Sequence, residues 1–363
     1  MKNGKILVGI THGDINGVGY EVILKIFAEP MMLELCTPII YGSPKIAAYH
    51  RKAMNLTANF ATIAHAGEVV DGKLNLVDCF TEEVKIDFGQ SSAESGTAAF
   101  TALERALADY REGLFDVLVT APINKATIQR EDFHFPGHTE YIQERVGEGK
   151  EALMILMNDV LRVALVTTHL PLREVADAVT KEAIVRKVRI FHETLRKDFG
   201  VSKPRIAVLS LNPHAGDNGL LGKEEQEIIV PAMQELEQEG IICFGPFAAD
   251  GFFGSQAYEY FDGVLAMYHD QGLAPFKALA MTNGVNYTAG LPIIRTSPDH
   301  GTAYDIAGQG KADESSMRQA VYTALDVYRN RVRDAEAHAN PLRKQYHERR
   351  DDSDKLKLNV PEE

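Results

Sequence analysis

The sequence predicts an α/β protein of stacked βαβ units around mainly parallel sheets. Short strand-like apolar runs alternate with amphipathic helical stretches. Three of those runs pass directly into a loop carrying a histidine, the end of an α/β sheet where functional groups gather. With 363 residues the chain exceeds the size at which one hydrophobic core stops growing, so two domains are expected.

The first strand is KILVGI (5–10), followed by the loop GDINGVGYE, and the second is TPIIYG (37–42). SGTAAFTALERALADYREG reads as a helix because Ala99, Leu103, Ala106 and Leu107 recur on one face. DVLVT (116–120) and LRVALVTT (161–168) are strands. KEAIVRKVRIFHETLRKDFG is a helix with Gly200 in a C-cap position, followed by the strands RIAVLS and GVLAMY. A last helix, SSMRQAVYTALDVYRNRVRDAEAHA, runs to about Asn340. The charged, apolar-poor tail after it reads as solvated. No internal repeat is visible.

Composition narrows the function classes. The hydrophobic fraction of 45% suffices for two cores, and the net charge of −13 argues against a non-specific nucleic-acid binder, which needs a basic face. Cys36, Cys79 and Cys243 are scattered without metal-type spacing, which suggests a reducing compartment and excludes a cysteine metal site. The N-terminal apolar run is too short for a signal-peptide core or a membrane span, so a cytoplasmic protein with no membrane partner is expected.

The strand-end histidines are His169, His214 and His269. Each alone also reads as an ordinary loop or core residue. Together they suit one divalent ion with a coordination position left open for water or substrate. In the opening loop, Gly13, Gly17 and Gly19 have the order G-x-x-x-G-x-G, not the dinucleotide fingerprint G-x-G-x-x-G, so a tight glycine turn competes with a nucleotide site. TAPINK supplies Lys125 at a strand end. FPGHTEY places His138 and Thr139 before a helix, suited either to an anion or to helix capping. Lys277, Asn286 and Arg295 could clamp a carboxylate or phosphate, or serve as surface ion-pair partners.

The segments TAPINK, GHTEY, SLNPHAGDNGLLGKEE, GPFAAD, YHDQGLAPFK and GLPIIRTSPDHGTAYDIAGQGKAD resemble the signature blocks of the 4-hydroxythreonine-4-phosphate dehydrogenase family of vitamin B6 biosynthesis, in order from residue 5 to about 330. DHGTAYDIAGQGKAD also resembles the nucleotide-binding loop of isocitrate and isopropylmalate dehydrogenases. The resemblance implies two α/β/α domains with an interdomain active-site cleft. Residues 1–135 with 278–340 would be the nucleotide-binding domain, 136–277 a metal and dimerisation domain, and 341–363 a charged tail.

It further implies NAD, with NADP as the variant, bound by His300, Gly301, Thr302 and Asp305. One zinc, magnesium or cobalt ion would be held by His169, His214 and His269, the last crossing a homodimer interface into a shared site. His138 and Thr139 at one end, and Lys277, Asn286 and Arg295 at the other, would bind a phosphorylated hydroxy amino acid. Asp250 and Asp270 would be acidic residues near the ion, with Asp270 or Lys277 as the base. The opening loop departs from the family's GDPAGIGPE at Ile15, Asn16 and Tyr20, which leaves open a 4-phospho-D-threonate or 4-phospho-D-erythronate substrate. A phosphate acetyltransferase or a non-catalytic binding module are the readings from other classes.

Overall fold

The computed structural model describes residues 4–80, 84–129, 135, 137–280 and 282–341, so the tail from 342 onward lies outside the described residues. The strands, numbered in chain order, are β1 Ile6–Thr11, β2 Cys36–Gly42, β3 Phe60–Ile63, β4 Leu74–Asp78, β5 Val117–Thr120 and β6 Leu153–Met157. They continue with β7 Arg162–Leu165, β8 Ile206–Leu209, β9 Cys243–Phe247, β10 Gly263–Ala266, β11 Val285–Ala289 and β12 Arg295–Pro298. Among the described residues all of them join one sheet, in the order β3-β4-β2-β1-β5-β12-β11-β6-β7-β10-β8-β9.

Two parallel blocks make up this sheet, β3 to β12 on one side and β7 to β9 on the other. Between them β11 and β6 each run antiparallel to both neighbours. The ladder is therefore continuous through the middle of the molecule, and the two blocks run in opposite directions. The six strands expected from sequence all form, within a few residues of the expected bounds. Their continuous Val, Ile and Leu runs reflect burial on both faces by flanking helices.

The β6–β7 hairpin turns on Asn158, whose Oδ1 accepts from Val160 N (3.0 Å) and Leu161 N (2.8 Å). The helix Ala93–Arg111 begins at Ser92, whose hydroxyl accepts from Ser95 N. Its buried alanines let it lie close to β1 and β2. Gly200 has φ +68° three residues beyond the helix Lys181–Lys197.

The opening loop is a packing device. A Cβ on Gly13 would lie 2.2 Å from the Pro122 carbonyl oxygen, and one on Gly17 would lie 2.7 Å from that of Thr302. Val18 N donates to the same Thr302 oxygen (3.0 Å), so the glycines bring three loops into backbone contact. The residues that depart from the family pattern are buried and turned into the structure. Asn16 accepts from Asp87 N and donates to Gln90 O, both at 2.9 Å. The Tyr20 hydroxyl accepts from Ser43 N (2.9 Å), and its ring stacks on His12. Ile15 offers its carbonyl to His50 Nε2 at 2.8 Å.

His12 and His50 are held neutral beneath this loop because burial disfavours the charged ring, with pKa values lowered to about 3 and about 4. The unfolded chain takes up these protons near 6.5 and the folded chain does not, so stability is lost as pH falls from 6.5 toward 4. Between pH 7.5 and 5 each ring should remove about 2 kcal/mol. His12→Phe, which keeps a ring against Tyr20, should show about half of that acid loss in thermal melts across the range. An unchanged pH slope in this variant would show that His12 is not the responsible group.

Candidate active site

A cleft of about 490 Å³ opens where the loops after β5 and β7 meet the polar strands β11 and β12. At its base is Arg295, the first residue of β12, only 3% exposed. Its guanidinium donates from Nε (3.1 Å) and Nη2 (2.6 Å) to Thr120 Oγ1, and from Nη1 to Thr288 Oγ1 (3.1 Å). Nη2 also lies 3.3 Å from His138 Nδ1. No carboxylate among the described residues pairs with it, and Glu140 is felt only at longer range. Burial lowers the Arg295 pKa to about 10, still far above neutrality.

A buried cation compensated only by hydroxyls is costly until an anion arrives. The same charge, after burial, holds His138 well below its ordinary pKa, so this imidazole is neutral. His138 opens the helix His138–Val146, whose N-cap is Gly137 with no side-chain hydrogen bond closing it. Thr139 therefore stands inside the first turn and is not the cap. Gly137, His138, Thr139 and Glu140 line the cleft with Arg295, and the first-turn N–H groups of a helix, which lack intrahelical partners, suit an anion. The two-ended clamp is corrected here, because Arg295 belongs with His138 and Thr139.

Lys277 forms the other end, with its ammonium on the Asp299 carbonyl (3.2 Å) and carboxylate (3.1 Å). Burial raises the Asp299 pKa against the opposing pull of Lys277. Asn286 lines the wall, and its Oδ1 is buried without a hydrogen-bond partner among the described residues. His300 donates from Nδ1 to Gly301 O (2.9 Å), and its buried Nε2 has no hydrogen-bond partner among the described residues. Lys277, Asp299 and His300 also line a second cavity of about 330 Å³ that continues toward Val18, Ile306 and Asp313. Gly301 reaches the first cleft. Thr302 and Asp305 line neither cavity, and the Thr302 carbonyl is engaged by Val18.

The His169 and His269 rings lie 5.9 Å apart, centroid to centroid, at the cleft mouth. Partial burial and Lys125 lower the His169 pKa, favouring the neutral ring that ligates. Asp270 Oδ1 is 2.8 Å from His269 Nδ1, which leaves Nε2 free. The Asp270 side chain is 86% exposed and outside the cleft lining, so it orients an imidazole. Gln271 ties this corner to β8, accepting from Met267 N (2.8 Å) and donating to Ser210 O (2.6 Å).

His214 is exposed on the loop after β8 and does not line the cleft, and Asp250 is exposed on the short helix Ala249–Gly254. Within the chain the imidazole beside His169 is that of His269, whereas the resemblance assigns His269 to the partner's site. Among the described residues no cluster of three metal-ligating side chains forms within the chain. Sequence reasoning missed Thr120, Thr288 and Asp299. Only their nearness to flagged residues in the strand ends VLVT, NYT and SPD could have pointed to them.

A mainly parallel α/β sheet that gathers a buried guanidinium, an open helix terminus and paired imidazoles at one cleft has the layout of an enzyme active site. The family model described as pyridoxal phosphate biosynthetic protein PdxA matches residues 34–324, and the chain belongs to that family. It is 67% identical over 363 residues, the full length of both chains, to the 4-hydroxythreonine-4-phosphate dehydrogenase of Bacteroides thetaiotaomicron. A protein of Oceanobacillus iheyensis, provisionally named as a D-threonate 4-phosphate dehydrogenase, is 40% identical over 89% of this chain and 98% of its own. The crystal structure of the Klebsiella pneumoniae 4-hydroxythreonine-4-phosphate dehydrogenase superposes with a TM-score of 0.77 at 34% identity, covering 90% of this chain and 99% of that one.

If the Arg295 pocket is an anion site, inorganic phosphate should raise the melting temperature, gaining about 1.4 kcal/mol for each tenfold excess over Kd. Arg295→Met should abolish this response while remaining folded. A phosphate response equal to that of the unmodified chain would place the anion elsewhere.

Proposed function

We propose that the chain is an NAD-dependent 4-hydroxythreonine-4-phosphate dehydrogenase. It oxidises the secondary alcohol of 4-phosphooxy-L-threonine to 2-amino-3-oxo-4-phosphooxybutanoate, which loses carbon dioxide to give 3-amino-2-oxopropyl phosphate. The observation that carries this reading is Arg295, paired with no carboxylate among the described residues, beside the open helix terminus at His138, a site suited to a phosphate. Family membership and the 67% identity to a relative of that name support the particular substrate.

In this reading Arg295, His138 and the Thr139 turn hold the phosphate, and the orphan Asn286 Oδ1 takes a donor such as the substrate amino group. Lys277 is held on Asp299 at the seam of the two cavities, and the hydroxyl proton passes to that pair. The raised Asp299 pKa favours such uptake. Asp270 is left to orient His269. His300 and Gly301, at the entrance of the second cavity, are the contacts for NAD. When bound, NAD supplies the hydride acceptor and a divalent ion supplies Lewis acidity toward the substrate hydroxyl.

The 5.9 Å separation of the His169 and His269 rings supports their holding zinc, cobalt or magnesium together, with His214 of the partner subunit as third ligand in a homodimer. Exposed Leu170 and Leu172 beside His169, and Leu220 and Leu221 close after His214, offer apolar surface for such a partner. Among the described residues no helix is long and apolar enough to cross a membrane. Ile15, Asn16 and Tyr20 are buried away from the cleft lining, so their departure from the family pattern does not argue for a different substrate.

With divalent metal present, 4-phosphooxy-L-threonine should reduce NAD with matching release of carbon dioxide. A much higher kcat/KM for 4-phospho-D-threonate or 4-phospho-D-erythronate would overturn the substrate and keep the dehydrogenase. Chelation should abolish turnover. Mixing inactive His169→Ala and His214→Ala dimers under subunit exchange should restore about a quarter of the activity, since one site of each mixed dimer is intact. His169→Ala mixed with His269→Ala should restore none. The reverse pattern would mean that His269 is the residue that crosses.

A further inference from the structure

The loop that carries His214 has an unusual backbone. His214, Ala215, Gly216, Asp217 and Asn218 all have positive φ, at 53°, 52°, 79°, 42° and 56°. Four of the five carry a Cβ and so occupy a conformation that sterics disfavour for L-residues. Left-handed runs of this length persist only where surrounding contacts over-determine them. One buried side chain, Glu225, which is 3% exposed, meets this run at Gly216 and at the residues just before it.

Glu225 Oε1 accepts from Leu211 N and from Asn212 N, both at 2.8 Å, and Oε2 accepts from Asn212 Nδ2 at 3.1 Å. A Cβ on Gly216 would fall 2.6 Å from Glu225 Oε2, so the carboxylate also fills the inside of the left-handed turn. No lysine, arginine or histidine among the described residues pairs with it, and its partners are the loop itself. Leu221 N closes the turn onto Gly216 O at 3.0 Å. A buried acid bonded solely to one loop contributes shape to that loop and nothing to a neighbouring charge.

We propose that Glu225 is the positioning residue for His214: it grips the chain two and three residues upstream and packs against Gly216 two residues downstream, fixing the direction in which the imidazole is presented. This rests on the reading of His214 as a metal ligand. Asn212 is the secondary element, since its amide joins Glu225 and, at 2.7 Å, Glu224.

The test is cobalt(II) binding to the full-length, metal-free protein, followed by the ligand-field absorption of the ion, for the unmodified chain and for Glu225→Gln, Asn212→Ala and His214→Ala. Glu225→Gln places an NH2 either against the two backbone donors or against Asn212 Nδ2, so one set of bonds is lost in either orientation. It should weaken cobalt binding by about 10- to 100-fold, the usual effect of losing a group that orients a ligand. The absorption band should shift toward that of His214→Ala. Asn212→Ala should weaken binding by less, in the same direction.

A folded Glu225→Gln protein with unchanged affinity and spectrum, even if it melts at lower temperature, overturns the proposal. Should Glu225→Gln not fold, Asn212→Ala decides alone: unchanged affinity overturns the proposal and a measurable loss supports it. His214→Ala binding cobalt like the unmodified chain overturns the ligand reading, and the proposal with it. A loss in His214→Ala without one in Glu225→Gln overturns the positioning role only.

Discussion

Arg295 is a cation inside the sheet whose side-chain partners are two hydroxyls and an imidazole, with no carboxylate paired to it among the described residues. Around it the centre of the sheet departs from the usual all-apolar character of buried parallel strands. Thr120 on β5, Thr288 on β11, and Thr296 and Ser297 on β12 are all buried polar residues, placed where Val or Ile would be expected. The Thr120 and Thr288 hydroxyls hold the guanidinium in one orientation without neutralising it, so its charge stays available to an incoming anion. Burial, and after it this charge, lowers the His138 pKa well below its ordinary value, so the ring is a neutral partner.

The antiparallel pair β11 and β6 is what brings this cation to the imidazoles. Because the two parallel blocks run in opposite directions, the loops after β5 and β7 can approach one cleft only across these central strands. Short-range bonds then fix each loop: Asn158 sets the β6–β7 turn, and Gln271 joins the ends of β10 and β8. Arg295 with His138 and the His169–His269 pair thus line one cleft, and in the proposed function phosphate recognition and ion chemistry would share it, as oxidation of an alcohol several bonds from a phosphate requires.

The legibility of the fold follows the same division. β1, β2, β5, β7, β8 and β10 were readable because each is an apolar run bounded by polar loop residues. β11 (VNYTA) and β12 (RTSP) were not, because their polar side chains serve the site and so erase the strand signal. β6 was missed because LMILM merges with the next apolar run unless Asn158 is recognised as a turn. In the site, the histidine loops, Lys277, Asn286 and Arg295 were legible as residue types at strand ends. Which of them share an end was not: β12 pairs with β5, and only that pairing puts Arg295 on Thr120, whereas the chain order suggested that it keeps company with Lys277. The nearness of His169 to His269 likewise depends on the β7–β10 pairing.

The central claim is that the substrate phosphate supplies the counter-charge that Arg295 lacks. A structure of the chain bound to 4-phosphooxy-L-threonine tests it most directly. The phosphate oxygens should lie within hydrogen-bond distance of the Arg295 guanidinium and of the backbone N–H groups at the start of the helix His138–Val146, with the hydroxyl-bearing carbon toward His169 and His269. A phosphate bound at Lys277 and His300, with Arg295 still contacted only by Thr120, Thr288 and His138, would contradict the account.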